Sequence, residues 1–400
     1  HKQSLKGTED KEMRKLFFTI LLVMTLPAWA GGLNPVGGIG SRHGGMSGAY
    51  ADDMILFRDN PAGIINLEDS LDFGVQAIQP KFKIKNRLGT HGSRDDMVYP
   101  MPLLGLTKSI NKDAVWGIGI MTPYGMGAAF DADWSKGFFK SETLISLTNI
   151  TPAISLRLTD HLSVGAGLNV GWCQFKYLAP FDIKNVYLPI LTDSEATGLG
   201  LGANVGVMWQ TEKLTLGLSY MSELKAHLEG NTKISGPLGL LSLKDGFYSS
   251  FTFPDMTSLS VSCQANKKLL LAASLHWYGY SQTVDDVKLS FHDLPLTKGK
   301  LLDWRDNYSV HVGFRKEIQE NLWLSGGIGY QNAAVPEGTV SQLTPDVTGW
   351  DVALGFHQKV NDDWTLNTHV IYGWGDMQDS RGNEFKAKTV TIGFGADWKF

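Results

Sequence analysis

Regular alternation of apolar and polar residues is the dominant pattern of this chain, and it is clearest at the carboxyl terminus. From Val390 to Phe400 every second residue is apolar, and the residues between are threonine, glycine, aspartate or lysine. Successive side chains of a β-strand point to opposite faces, so this alternation predicts a strand with one apolar and one polar face. Such strands build transmembrane barrels, with lipid on the apolar side and a polar lumen on the other.

The same alternation recurs along residues 71–400 and predicts fourteen strands, an even number, as in bacterial single-chain barrels. The predicted fold class is therefore all-β, a transmembrane 14-stranded antiparallel β-barrel. The predicted strands are residues 71–85, 98–109, 114–125, 144–158, 161–176, 196–210, 213–229, 248–263, 268–281, 306–316, 321–331, 348–359, 363–373 and 387–399.

The connections between these strands alternate between short polar turns and longer loops. Barrels of this kind have short turns on the periplasmic side and long loops on the extracellular side, so both termini are expected at the periplasm. The predicted long loops are residues 86–97, 126–143, 177–195, 230–247, 282–305, 332–347 and 374–386.

Tryptophans lie near both ends of the predicted strands. Such aromatic belts are typical of the two membrane interfaces. A soluble sandwich or a lipocalin-like barrel is the alternative, but it would turn its apolar face inward and would need no belts. The residues concerned are Trp116, Trp209, Trp364 and Trp398 near the short turns, and Trp172, Trp277, Trp350 and Trp374 near the long loops.

Residues 13–30 have the composition of a secretory signal peptide. Arg14 and Lys15 precede an apolar run, and residues 28–30 form an A-x-A cleavage site. The run is too short to span a bilayer as a helix. Residues 1–12 precede the expected initiator Met13, and we interpret them as an extension that is not native.

Composition and charge narrow the class of protein further. The formal net charge is −4, which argues against a nucleic-acid partner. The near-neutral mean hydropathy excludes a polytopic helical membrane protein. By strand parity Cys173 faces the lumen and Cys263 faces lipid, so the two side chains cannot form a disulfide. No spacing typical of a metal site is present.

Three stretches resemble the FadL/TodX family of outer-membrane channels for hydrophobic compounds. The first runs from Gly44 through Asp52 and Asp53 to residues 60–63, Asn-Pro-Ala-Gly. The second is residues 219–225, Ser-Tyr-Met-Ser-Glu-Leu-Lys, and the third is residues 253–256, Phe-Pro-Asp-Met. They follow one another in the family's order across the mature chain. The triplet Phe-Arg-Asp at residues 57–59 departs from the commonest pattern.

The resemblance implies a passive channel in the outer membrane of a Gram-negative bacterium, not an enzyme. Residues 31–70 would form an N-terminal plug (hatch) inside a barrel of residues 71–400. A hydrophobic ligand would be captured by the extracellular loops, pass to a pocket near the plug, and leave sideways through a gap at the kinked third strand. No cofactor is implied, and the expected partners are hydrophobic small molecules together with outer-membrane lipid and lipopolysaccharide. The family precedent is a monomer.

The expected gate combines part of the third strand with a corner of the plug. Pro123 lacks a backbone N–H and removes a ladder bond from a strand, so it predicts a local break. The alternative is that Pro123 simply ends the strand. By resemblance, the corner of the plug lies against this break, although an ordinary Asn-Pro turn would have the same sequence. The expected gate residues are Thr122, Pro123, Tyr124 and Gly125 in the strand and Asn60, Pro61 and Ala62 in the plug.

Candidate ligand contacts lie in the long loops and near the rim. These loops are unusually apolar, which indicates a binding surface or packing of one loop on another. Arg305 is expected to face the lumen and to pair with a carboxylate, unless it pairs with Asp306. Lys176 is a weaker candidate because its parity is outward. The apolar candidates are Phe138, Phe139, Leu188 and Ile190.

Fatty acids and aromatic hydrocarbons would both suit this architecture, so a long-chain fatty acid channel and an aromatic hydrocarbon channel stay open. An adhesin or structural barrel would keep the wall but show no dependence on Asn60. A lipid hydrolase would need a Ser–His arrangement, and the sequence has scattered histidines and no G-x-S-x-G. A water-filled porin is disfavoured by the glycine-rich plug expected in the lumen.

Overall fold

The computed structural model describes residues 54–183, 186–236, 242–282, 286–292 and 297–400. The predicted signal peptide and most of the predicted plug lie outside these ranges. Within them, no helix is long and apolar enough to cross a membrane. The helices among the described residues are α1 (Leu56–Asp59) and three 3-10 helices, Pro61–Asn66, Trp134–Lys136 and Tyr280–Gln282.

Nineteen strands follow α1 in the described part of the chain. They are β1 (Ser70–Asn86), β2 (Gly89–Gly92), β3 (Tyr99–Asn111), β4 (Ala114–Phe130), β5 (Ser141–Arg157), β6 (Leu162–Ile183), β7 (Val186–Gln210), β8 (Leu214–Met221), β9 (Leu224–Ser235), β10 (Ser242–Phe253), β11 (Met256–Asn266), β12 (Leu269–Tyr278), β13 (Asp286–Phe291), β14 (Thr297–Leu301), β15 (Asn307–Gln319), β16 (Leu322–Gln331), β17 (Thr348–Lys359), β18 (Trp364–Gln378) and β19 (Glu384–Lys399).

These strands form a closed antiparallel barrel. β1 pairs with both β3 and β19, which joins the two ends of the sheet. Two wall strands are interrupted: β8 and β9 are separated at residues 222–223, and β10 and β11 at residues 254–255. Strands β2, β13 and β14 belong to the connections. Counting each interrupted strand once gives fourteen, which confirms the predicted number.

The two faces of the wall confirm the predicted alternation. Leu199 and Leu201 are 62% and 67% exposed on the outer face, whereas Asn169 and Asn204 are buried on the inner face. The tryptophans of both predicted belts lie on the outer face, as Trp172 and Trp398 illustrate. Apolar side chains are exposed here because their solvent is lipid.

Several predicted loops are wrong because the strands extend beyond the membrane. Residues 177–195 mostly form the outer ends of β6 and β7, which remain paired up to Ile183 and Val186. β4 likewise continues to Phe130, within the predicted loop 126–143. Backbone pairing satisfies hydrogen bonds in water as well as in lipid, so a strand does not have to end at the interface.

A short ion pair fixes the periplasmic start of the wall. Asp69 precedes β1 and lies 2.6 Å from Lys108 Nζ through Oδ2, and its Oδ1 accepts a hydrogen bond of 2.7 Å from the Ser109 amide. The hydrogen bond from Lys108, followed by that from Ser109, lowers the pKa of Asp69 to about 2.

Candidate functional site

A short segment inside the barrel, residues 54–67, carries the first part of the site, and we call it the inner segment. Asn60 ends α1, and its Oδ1 accepts a hydrogen bond of 3.1 Å from the Ala62 amide. Pro61 occupies the first position of the following 3-10 helix, where a missing N–H costs nothing. The residues that the resemblance singled out therefore form a helix cap that turns the chain.

The wall holds this corner through small polar residues. The Ala62 carbonyl accepts hydrogen bonds of 2.8 Å from Ser155 Oγ and 2.9 Å from Ser163 Oγ. Asn60 Nδ2 donates to the Val207 carbonyl at 3.1 Å. A side chain at Gly165 would overlap the carbonyl of Pro61, so the backbones touch directly there.

These contacts correct the expected position of the corner. Asn60, Pro61 and Ala62 lie against β5, β6 and β7, whereas the expectation placed them at the break in the third wall strand. Phe57 lies nearer to that strand: a Cβ on Gly119 of β4 would be only 2.6 Å from the Phe57 Cβ. The helical turn of α1 separates the two contacts and places them on different parts of the wall.

The third wall strand, β4, separates from its neighbour β3 halfway along its length. Its pairing with β3 stops at Ile120, although β4 itself continues for ten more residues. Its pairing with β5 slips between Met121 and Tyr124, on either side of Pro123. From Met121 onward nearly every residue of β4 is buried, whichever face it would occupy in a flat wall. β4 therefore separates from β3 beyond Ile120 and leaves a gap between the two strands, while its pairing with β5 continues to Phe130, so Pro123 does not end the strand.

The side chains around the bend hold it in place. Thr122 and Thr148 share a hydroxyl hydrogen bond of 2.9 Å. The Tyr124 hydroxyl donates to the Pro254 carbonyl at 3.0 Å, at the interruption between β10 and β11. A Cβ on Gly125 would meet nothing closer than 3.8 Å, so sterics do not require glycine there.

On the other side of the gap, β3 begins with Tyr99, Pro100, Met101 and Pro102, and these residues pair with β1 alone. Proline is tolerated at sheet edges because it has no N–H to leave unpaired. The Tyr99 phenol reaches across the gap and packs on Gly127 of β4. The alternating prolines were a sequence signal for this edge that the sequence analysis did not use.

The extracellular half of the lumen is lined by a continuous set of buried apolar residues, which we call the inner apolar cluster. Aromatic rings concentrate at its lower end, where Tyr124 stacks on Phe253 with ring centroids 5.6 Å apart. Tyr280 packs against Trp304 at 5.5 Å. Other members are Phe82, Ile84, Met126, Phe130, Phe138, Ile145, Leu147, Leu224, Phe247, Phe251, Met256 and Phe385.

Arg58 of the inner segment lies at the floor of this cluster and is only 7% exposed. Its Nη2 donates to the Tyr278 hydroxyl at 3.1 Å and lies 3.6 Å from Met256 Sδ. Its Nε lies 3.3 Å from Asp59 Oδ1. Burial disfavours the charge most strongly of the single effects, but Asp59, Tyr278 and Tyr124 together outweigh it and hold the pKa of Arg58 above its ordinary value.

Below Arg58 the lumen becomes polar. Ser258 and His276 form a side-chain hydrogen bond of 2.6 Å. His311 lies 3.6 Å from Asp351 across the β15–β17 side of the barrel. Arg58 therefore marks the boundary between an apolar upper lumen and a polar lower lumen. Such a boundary suits a ligand with an apolar body and a polar end.

Neither of the two predicted cationic ligand residues lies in the lumen, and for Lys176 this agrees with its outward parity. Arg305 precedes β15 and is exposed, because the alternation that would turn it inward begins only at Asn307. Lys176 is on the outer face, where it pairs with Glu142 at 3.1 Å and Glu195 at 3.3 Å. Arg58 was not among the candidate ligand residues expected from the sequence. Its position beside Asp59, directly after the apolar run 54–57, could have indicated a buried charged pair.

The predicted apolar contacts have different environments. Phe138 is buried in the inner apolar cluster and stacks on His91 at 4.8 Å. Phe139 packs with Ala179 and Leu343 in a separate rim cluster. Ile190 is half-buried on β7, and the side chain of Leu188 lies outside the described residues.

Comparisons with known proteins agree with this architecture. Outer membrane protein P1 of Haemophilus influenzae is 23% identical, with 94% of this chain and 93% of that protein covered. A long-chain fatty acid transport protein of Escherichia coli O6:H1 is also 23% identical, with 96% of each chain covered.

Solved structures share the fold. A FadL homologue of Pseudomonas aeruginosa has a TM-score of 0.75 at 17% identity, covering 93% of this chain and 100% of that chain. The toluene transporter TodX of P. putida has a TM-score of 0.73 at 15% identity, covering 91% and 99%. The model of the outer membrane protein transport protein family matches residues 22–389. The chain therefore belongs to this family (OMPP1/FadL/TodX) of outer-membrane transport channels.

Proposed function

We propose that this barrel takes up long-chain fatty acids, or molecules with a similar anionic head and apolar tail, by passive passage through a single barrel. The observation that carries the proposal is Arg58, a buried cation at the floor of an apolar lumen. Arginine binds carboxylates in directed, charge-assisted hydrogen bonds. Its contacts with Tyr278, Met256 and Asp59 engage Nη2 and Nε, and a guanidinium has five N–H donors in all, so it can bind a further acceptor.

Capture begins at the extracellular rim. Trp134 is 68% exposed there, and Phe138 connects the rim to the inner apolar cluster. An apolar tail that leaves water at the rim gains about 25 cal/mol for each Å² it buries. The tail then contacts the apolar side chains of the inner apolar cluster until the head group reaches Arg58.

The ligand leaves through the gap between β3 and β4. An unpaired strand edge in hydrocarbon is costly unless side chains or another segment cover it. Tyr99 covers the gap in the present state, and movement of its phenol would open a lateral path to the outer leaflet. A passive channel needs no more than this, because the ligand partitions into lipid at the end of the path.

A monoaromatic hydrocarbon channel is the second candidate. The rings of Tyr124, Phe253, Tyr278 and Tyr280 surround the lower end of the cluster and would suit an aromatic ligand. One solved relative is described as a toluene transporter. A hydrocarbon has no acceptor for Arg58, so the two candidates differ in their dependence on that residue.

The test is uptake of a labelled long-chain fatty acid and of labelled toluene by cells that lack their own channel. The cells express the wild-type barrel, Arg58→Gln, Asn60→Ala or, as a matched control, Arg305→Gln on the exposed rim. We expect fatty acid uptake to fall in the first two variants and to persist in the control.

Each outcome distinguishes a function. Toluene uptake that is insensitive to Arg58→Gln, without fatty acid uptake, would replace the fatty acid with an aromatic cargo. A correctly inserted barrel that transports neither would reject uptake of these two classes and favour an adhesin or structural role. Equal loss in Arg305→Gln would show that the effect is not specific to Arg58 and would contradict its role in binding the head group.

A further inference from the structure

Trp304 presents an unpaired hydrogen-bond donor inside the inner apolar cluster. The residue lies in the connection between β14 and β15 and is only 3% exposed. Its Nε1 is buried and has no hydrogen-bond partner among the residues that the structure describes. Buried tryptophan N–H groups usually have a partner, because a hydrogen bond left unmade in an apolar environment is costly. The placement of this donor is therefore better explained by binding than by folding.

The backbone on both sides of Trp304 is anchored. The Arg305 amide donates to the Ala334 carbonyl at 2.8 Å, and Thr339 Oγ1 donates to the Leu302 carbonyl at 2.7 Å. Both contacts join this connection to the loop between β16 and β17. Because the indole ring also packs against Tyr280, its N–H has little freedom to turn towards another acceptor of the chain.

The buried side chains of the two segments that meet here are mostly apolar. Leu302, Ala334, Val335 and Val340 are all members of the inner apolar cluster. An indole N–H only donates, so its partner has to be an acceptor, and aliphatic side chains carry none. A molecule that enters the lumen with an oxygen acceptor would supply this partner.

A row of aromatic rings leads from Arg58 to Trp304. The ring centroid of Tyr278 lies 6.4 Å from that of Tyr280, which lies 5.5 Å from that of Trp304. At the other end of the row, Arg58 Nη2 donates to the Tyr278 hydroxyl at 3.1 Å. A ligand with its head group at Arg58 and its tail in the inner apolar cluster would therefore bring part of its tail, and not its head, to Trp304.

We propose that Trp304 Nε1 donates a hydrogen bond to an oxygen in the tail of the ligand, so that the preferred substrates are long-chain acids with a keto or hydroxyl group in the chain. The inference rests on the proposed function and narrows its substrate class. An unsubstituted hydrocarbon tail leaves the N–H unpaired. An oxygen in the tail is costly to bury in an apolar lumen unless a donor meets it, and Trp304 is that donor.

The test is calorimetric titration of the whole barrel in detergent with stearic acid and with a series of keto-stearic acids that differ in the position of the keto group. A keto oxygen only accepts, so it matches the indole N–H. The variant is Trp304→Phe, which keeps an aromatic ring against Tyr280 and removes the N–H. The control is Trp350→Phe, which makes the same substitution at an exposed tryptophan of the outer face.

The smaller ring of Trp304→Phe should affect all of the acids alike, so the difference between keto acid and stearic acid isolates the hydrogen bond. A hydrogen bond between neutral groups corresponds to about a two- to tenfold change in Kd. We expect Trp304→Phe to weaken the binding of one keto acid, or of two with neighbouring positions, by this factor beyond its effect on stearic acid. The other keto positions and the control should show no such difference.

The outcomes separate this inference from the function on which it rests. If the wild type binds both kinds of acid but Trp304→Phe affects them equally at every keto position, the tail contact is rejected and the fatty acid channel stands. The same excess loss at all positions, or in Trp350→Phe, would also reject it. If the wild type binds none of the acids, both the proposed function and the inference fail.

A second measurement needs no variant and applies if Trp304→Phe does not fold. The infrared carbonyl stretch of an isotope-labelled keto group reports its hydrogen bonding in the bound acid. In the wild type the stretch should fall to a lower frequency at one keto position or at two neighbouring ones. A stretch that does not vary with keto position would contradict a fixed donor in the lumen.

Discussion

Replacing Arg58 with glutamine should selectively weaken the binding of an anionic ligand. Arg58 is buried between Tyr278 and Asp59 at the floor of the inner apolar cluster. Glutamine keeps hydrogen-bonding capacity and much of the length but removes the charge. The wall and the apolar lining stay as they are. The substitution should therefore weaken the contacts of the ligand's head group and leave the contacts of its tail intact.

The expected magnitude follows from the kind of contact that is lost. A hydrogen bond to a charged group contributes about 1.5–3 kcal/mol, which corresponds to about a 10- to 150-fold change in Kd. Because Asp59 offsets the net charge of Arg58, we expect the lower part of this range, about 10- to 30-fold. A fatty acid methyl ester has no charge, so its affinity should change by less than about threefold.

The assay is equilibrium binding to the purified barrel, followed by tryptophan fluorescence or calorimetry. Trp304 is buried in the inner apolar cluster against Tyr280, so a ligand in the cluster should change its emission. Long-chain fatty acid and its methyl ester are titrated against the wild type, Arg58→Gln and Arg305→Gln. The reasoning is refuted if Arg58→Gln binds the acid as tightly as the wild type does, or if acid and ester weaken equally.

Loss of structure is the main confounding effect. Removing one partner of a buried ion pair costs about 3–5 kcal/mol because the other charge remains buried. Arg58→Gln/Asp59→Asn removes both charges and tests binding without that penalty. If its selectivity between acid and ester matches that of the single variant, the effect belongs to Arg58 and not to a distorted inner segment.

Three further predictions concern the inner segment, the gap and the periplasmic end. Gly165→Val should destabilise the fold by about 1–3 kcal/mol and abolish uptake, because the new side chain overlaps the backbone of the inner segment. Gly125→Ala, whose Cβ would make only ordinary van der Waals contacts, should be neutral in the same thermal unfolding and uptake assays. Pro123→Val should straighten β4 and slow uptake, whereas Pro152→Val, on the outer face of the neighbouring wall strand, should not; equal uptake by both would exclude the gap as the exit. Asp69 has its pKa lowered to about 2 by the hydrogen bond from its lysine partner, so its contribution to stability is present above about pH 4 and is lost as the pH falls towards 2. An Asn variant should lack this part of the acid dependence of unfolding, and an unchanged dependence would contradict the ion pair.

The strand count and the orientation of the wall could be read from the chain because they depend on local alternation. Successive side chains of a wall strand point alternately to the lumen and to lipid. This alternation placed Cys173 on the inner face and Cys263 on the outer face, and the structure agrees: Cys173 is buried and Cys263 is exposed. Loop lengths were overestimated for the complementary reason. Outside the lipid, apolar and polar residues no longer alternate clearly along the strand, while the backbone pairing of β6 and β7 continues.

The candidate site was only partly accessible from the sequence. Pro123 predicted a break in β4 because the missing N–H is a local property, and the register slip between Met121 and Tyr124 lies there. Parity failed for Arg305, which lies just outside its strand and is exposed. The position of Asn60 against β7 was also not predictable, because it depends on contacts across 147 residues of chain.

The sequence by itself determined the barrel, the orientation of its faces and the family, since alternation and short motifs are encoded within a few neighbouring residues. Only the tertiary structure decided which cation lies at the floor of the inner apolar cluster. Arg58 is a binding candidate because β11 and β12 bring Met256 and Tyr278 to it from about two hundred residues away. A charge has little specificity on its own, and its role is set by the groups that the closed sheet places around it.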